Sequence, residues 1–201
     1  MSDRMTVFRS MHDLGLAAWF GGSLMGAIGV NGAASDVDDP RQRARVANAG
    51  WARWTPFNLV AIGAHLVGAV QLARRDSDRV AVQSGVTSNT ATKTALTGAA
   101  LAATAYSRVL GQRVMAAGDV PVAGGTDPLP QTPPDVAKAQ KQLKALQWAI
   151  PALTGGMLVS TSLAGELERP QETARGLLRA VPSRVGAGAA GLGETLKQAV
   201  S

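Results

Sequence analysis

The chain has no cysteine among its 201 residues. That excludes disulfides, thiolate metal sites and cysteine nucleophiles, and leaves the redox compartment open. Aromatic residues make up 4%, with a single tyrosine, and histidine occurs only twice. No GxSxG elbow is present, and no glycine run is followed by Lys-Ser/Thr. Serine hydrolysis and a phosphate-cradling loop therefore have no basis in the pattern. HxxxH and HxxE pairs are also missing, so a metal that needs three or four close ligands has no ligand set. Charge is missing where it matters most. Across Leu14–Ala33, Pro56–Ala73, Thr94–Gly111 and Trp148–Gly165, Arg108 is the single formal charge.

Each of those four stretches is about as long as a bilayer is thick, since ~20 helical residues span ~30 Å of hydrocarbon. The mean hydropathy of +0.06 is modest, because Ala, Gly, Ser and Thr replace much of the usual Leu and Ile. The partition of charge carries more weight than the mean: 20 basic and 14 acidic residues lie almost wholly outside the apolar stretches. The expected fold class is all-α, a four-helix transmembrane bundle with helices at about 12–33, 54–75, 91–113 and 133–167. The fourth helix is expected to be long and to extend out of the bilayer. Residues 1–165 form the expected membrane domain, and 166–201 a basic, partly disordered tail with a short helix at Gln171–Ala180. A soluble Ala-rich bundle is the competing reading.

Small residues recur four apart. Gly22 and Gly26 form a GxxxG pair, Ala64 and Gly68 a small-xxx-small face, and Gly156 and Ser160 continue the pattern. Such spacing lets helices approach closely in lipid. In the third stretch Ala95, Ala99 and Ala103 are expected to share the packing face. Asp39-Pro40 reads as a helix start, and Pro56 as the opening of the second span. The net charge of +6 suits anionic headgroups. Arg41, Arg43 and Arg45, with Lys138, Lys141 and Lys144, are the expected headgroup contacts. Because the basic residues are spread over every loop, nucleic acid is not an expected partner. The segment Gly118–Pro134 holds five of the ten prolines and reads as an extended linker. Thr132 and Pro133 then supply a helix start.

Four spans put both termini on one side. The basic residues divide eleven against nine between the two sides, a slight lean towards cytoplasmic termini in a plasma membrane. His12 and His65 are the only candidates for cofactor binding. With His65 at the middle of its span and His12 about eleven residues from the middle of the other, 1.5 Å per residue separates them by roughly 16 Å in depth. They are therefore expected not to share a haem, and no cofactor is expected. His65 reads as a buried hydrogen-bonded histidine or as part of a proton or ligand path. His12 with Asp13 reads as a helix-start cap.

At "HDLGLAAWFGGSLMGAIGVNGAA" and "GWARWTPFNLVAIGAHLVGA" the chain resembles small actinobacterial membrane proteins of unknown function. "TALTGAALAATAYSRVLG", "GDVPVAGGTDP" and "LKALQWAIPALTGG" extend that resemblance over about Thr6–Gly165. The opening His-x-Leu-Gly-x-x-x-Trp-x-Gly-Gly is also similar to the first helix of copper-resistance-type membrane proteins, without the further His and Met ligands. The first resemblance implies a four-helix membrane fold and no activity. The expected function is a non-enzymatic accessory or scaffold subunit that packs against partner helices or itself. The alternatives are a small carrier or ligand- or haem-binding protein centred on His65 with Tyr106 or Arg108, and a soluble helical protein recruited to a membrane or shell surface.

Overall fold

A computed structural model describes residues 2–80 and 84–163, with side chains over 5–75 and 90–163. The chain divides after Ser160 into two compact units, and only three residues of the second are described. The expected tail and its helix at Gln171–Ala180 lie outside the described residues. Among those residues the first unit is all-helical. The elements are α1 (Ser2–Met25), a π-helical turn (Gly26–Val30), α2 (Asn31–Ser35), α3 (Arg43–Val80), α4 (Ser84–Ala116) and α5 (134–163), whose last three residues fall in the second unit.

Two boundaries differ from expectation. α1 starts at Ser2, so the polar N-terminus is part of the first helix. α3 starts at Arg43 and runs straight through Pro56. The helix expected to start at Asp39-Pro40 and the span expected to open at Pro56 are thus one helix. Proline removes a single backbone donor, and Thr55 Oγ1 bonds back to the Trp51 carbonyl at 2.9 Å just before it. At Asp39-Pro40 the chain makes a turn, and Asp39 Oδ1 accepts from the Arg41 amide at 3.0 Å.

α1 and α3 pack antiparallel, and glycine sets their separation. A Cβ on Gly15 would collide with the backbone of Ala61 and His65, and one on Gly68 would sit 2.5 Å from the Phe8 carbonyl oxygen and 2.6 Å from the His12 amide nitrogen. Farther along, Gly22 seats the ring of Trp54 and Gly26 the ring of Trp51, and a Cβ on Gly50 would sit 2.6 Å from Val30 Cγ1. Two core clusters complete the unit. The first joins Leu16, Trp19, Ile62, Ala100, Ala103, Ile150 and Met157. The second joins Ala44, Leu110, Val114, Val122, Val136, Ala139 and Leu143. On α4 the buried face runs through Ala100, Ala103, Leu110 and Val114. Ala95 and Ala99 are exposed. Of the expected stripe Ala103 is in the core, while Leu96 and Ala100 take the inward places expected of Ala95 and Ala99.

The proline-rich segment corrects a further expectation. Instead of an extended linker, it folds into a packed turn. α4 ends on Gly118 at φ +77°, whose amide caps the Met115 carbonyl at 3.1 Å. Val122 pairs antiparallel with Pro128, and its amide donates to the Pro40 carbonyl at 3.1 Å. Gln140 Nε2 donates to the carbonyls of Gly124 at 3.0 Å and Gly125 at 3.3 Å. Thr132 does not cap a helix amide. Its hydroxyl donates to the Pro121 carbonyl at 2.7 Å and accepts from the Leu129 amide at 2.9 Å.

Among the described residues two helices are long and apolar enough to cross a membrane, Met5–Ser35 and Arg43–Arg75. In their most apolar windows only 28% and 22% of residues are buried within the chain. By the same measure α4 falls short, diluted by Thr94, Thr97, Thr104 and Arg108. Part of the fourth expected span lies outside the described residues.

Candidate ligand cavity

Between the two core clusters lies a cavity of about 420 Å³. Its walls come from every helix of the unit, and Gly125 of the folded turn contributes at one end. The local spacing explains the lining. Asn48, Trp51, Thr55 and Asn58 recur every three or four residues on α3, and Thr104, Ser107 or Arg108, and Gly111 do so on α4. Each set is therefore one helix face. Leu59, Leu143 and Ile150 add apolar wall, and Arg108 is the only charged lining residue among the described ones.

One end of the lining is hydrogen-bonded. Trp51 Nε1 donates to Asn31 Oδ1 at 3.1 Å, and Asn31 Nδ2 donates to Gln147 Oε1 at 2.5 Å. Asn31 directly follows the π-helical turn, where an extra residue per turn redirects the side chains beyond it. Other lining residues are not satisfied. Trp54 Nε1, Asn58 Oδ1 and Ser107 Oγ are buried without a hydrogen-bond partner. A buried polar atom left unpaired costs about 1–3 kcal/mol. Three such atoms on the residues of one cavity make it the strongest candidate for a binding site in the described chain.

The residues singled out from sequence are scattered over the unit rather than gathered at one site. Gly22, Gly26 and Gly68 hold α1 to α3, Ala64 is half-buried on α3, and nothing lies within 4 Å of where a Cβ of Gly156 would be. Ser160 is half-buried on α5. Arg41, Lys138 and Lys141 are exposed. Arg43 donates to the carbonyls of Val37 at 2.7 Å and Ala123 at 3.2 Å, Arg45 pairs with Asp119, and Lys144 pairs with Asp127 at 2.5 Å. These three basic residues hold the folded turn in place.

The histidines correct the depth argument. His12 and His65 are not about 16 Å apart. Their ring centroids are 4.5 Å apart at 40°, and His65 Nδ1 donates to the His12 carbonyl at 3.2 Å. His12 Nδ1 also lies 2.7 Å from Asp13 Oδ1. The error came from the boundaries: with α1 starting at Ser2 and α3 at Arg43, neither histidine sits where the shorter spans put it. A haem between them still does not fit, because two rings in mutual contact leave no plane for a macrocycle. Among the described residues no three His, Asp or Glu side chains group into a metal site. The structure also separates the alternative trio. Arg108 lines the cavity, Tyr106 lines a second depression with Arg113 and Lys138, and His65 lines neither.

Asn58, Trp54 and Ser107 were missed as site residues. The signal was available as polar residues repeating at helical spacing within apolar runs. What could not be read was which faces would meet. No family model, curated protein or solved structure matches the chain.

Proposed function

We propose that this chain is an integral membrane protein whose helical bundle binds a small amphiphilic molecule in the cavity between its two core clusters. The observation that carries the reading is the three unpaired polar atoms on the cavity's lining residues. Ligand sites are typically apolar clefts of ~300–1,000 Å³ with a few convergent polar groups, and this one has that size and composition. Membrane placement is supported by two long apolar helices whose apolar windows are mostly exposed. The core helix of a water-soluble protein buries such a window. Phe57 and Val60 on α3 are 68% and 73% exposed, which suits lipid tails. In this reading the protein is multi-pass in the plasma membrane, with cytoplasmic termini and loop cations at the headgroups.

The same exposed apolar face supports a second reading, an accessory subunit packed against partner helices. The GxxxG pair does not add to it, since Gly22 and Gly26 are already filled by Trp54 and Trp51. The two readings separate in one experiment. A single-chain brominated amphiphile is titrated into the protein in nanodiscs, and tryptophan quenching is followed. Saturable quenching in the wild type that is lost in Gly111→Leu is the expected result. Equal, non-saturable quenching in both would favour the accessory reading.

A further inference from the structure

We infer that the cavity's ligand is a single-chain amphiphile with a carboxylate head, and that Arg108 is the residue that receives that head. This rests on the cavity being a ligand site. Arg108 is the only charge on the wall, and it is exposed. Arg108 takes no part in the ion pairs His12–Asp13, Arg45–Asp119 and Lys144–Asp127, and has no acidic partner among the described residues. No aspartate lines the cavity. An arginine within a membrane-spanning bundle is costly when unpaired, and residues of this kind mark ligand pathways.

The neighbouring groups fit the same head. Ser107, adjacent on α4, and Trp54, on the facing α3, carry an O–H and an N–H donor without acceptors. A carboxylate only accepts, on two oxygens, and a guanidinium engages it with two parallel N–H groups. A carboxylate thus supplies the acceptors that the donors on this wall lack. The rest of the wall, with Trp51, Leu59, Leu143 and Ile150, offers an apolar environment for a hydrocarbon chain. About 420 Å³ suits one chain rather than a two-chain phospholipid.

The test compares ω-bromoundecanoate with ω-bromoundecanol at neutral pH, in nanodiscs of zwitterionic lipid. Tryptophan quenching reports binding, and Gly111→Leu sets the background from probe dissolved in lipid. The acid is expected to bind the wild type about ten- to a hundred-fold more tightly than the alcohol, the factor a hydrogen bond to a charged group supplies. Arg108→Gln should abolish that difference by lowering the acid's affinity to the level of the alcohol's, and Arg108→Lys should restore part of it. Equal affinity for both probes in the wild type, or an acid preference that survives Arg108→Gln, overturns the assignment of the head. Quenching by neither probe above background overturns the cavity reading itself, and this inference with it.

Discussion

His65 Nδ1 donates a hydrogen bond to the carbonyl oxygen of His12 across 3.2 Å, with the two imidazoles packed at 4.5 Å. A carbonyl only accepts, so the proton of neutral His65 lies on Nδ1 and Nε2 is left as a buried, unpaired acceptor. His65→Phe keeps ring packing and removes the bond. It should cost about 1 kcal/mol, and His65→Ala about 2–4 kcal/mol through the added void. Thermal melts in detergent measure both. Neither change should alter ligand binding, because His65 does not line the cavity.

The α1–α3 interface makes a second claim. Gly15 and Gly68 sit against backbone, which cannot move aside as a side chain can. Gly15→Ala and Gly68→Ala should each destabilise the protein by about 1–3 kcal/mol, although alanine favours helix by up to ~1 kcal/mol. Gly63→Ala on α3, with nothing within 4 Å of its Cβ position, is the control and should be neutral or stabilising. Chemical unfolding of the three variants decides it.

The folded turn gives a third. Gln140 is fully buried and joins α5 to the carbonyls of Gly124 and Gly125. Gln140→Leu leaves those carbonyls without their donor and should cost about 1–3 kcal/mol. Limited proteolysis should then cleave within 119–131 far faster than in the wild type. Unchanged cleavage would contradict a packed role for the turn.

How much of this was legible depends on the kind of signal. Apolar run length announced the all-helical fold. The small-residue spacing pointed to Gly22, Gly26 and Gly68, because glycine in an apolar helix has a steric consequence. Gly15 carried the same signal but lacks a partner four residues away. The proline-rich segment read as extended because composition reports backbone restriction, not the docking sites that Gln140, Arg43 and Lys144 supply from elsewhere. The contact between His12 and His65 depended on where helices start, and Pro56 and Asp39-Pro40 suggested the wrong starts. The cavity could not be read at all, since it exists only where the faces of several helices meet.

Filling the cavity is the fourth claim. Gly111 lines it, and a Cβ there would meet only Asn48 Oδ1, at 3.6 Å. Gly111→Leu therefore places a side chain in open space and replaces a mid-helix glycine. The variant should fold and be at least as stable as the wild type, by up to ~1 kcal/mol, yet lose the ligand. A large loss of stability would show that the cavity is smaller than the structure indicates.

The most direct measurement is native mass spectrometry of the protein released from membranes in mild detergent, comparing wild type with Gly111→Leu. A cavity that holds an amphiphile predicts one bound molecule of a few hundred daltons on the wild type and none on Gly111→Leu. A wild type that carries no such mass, or a variant that carries the same one, would contradict the account.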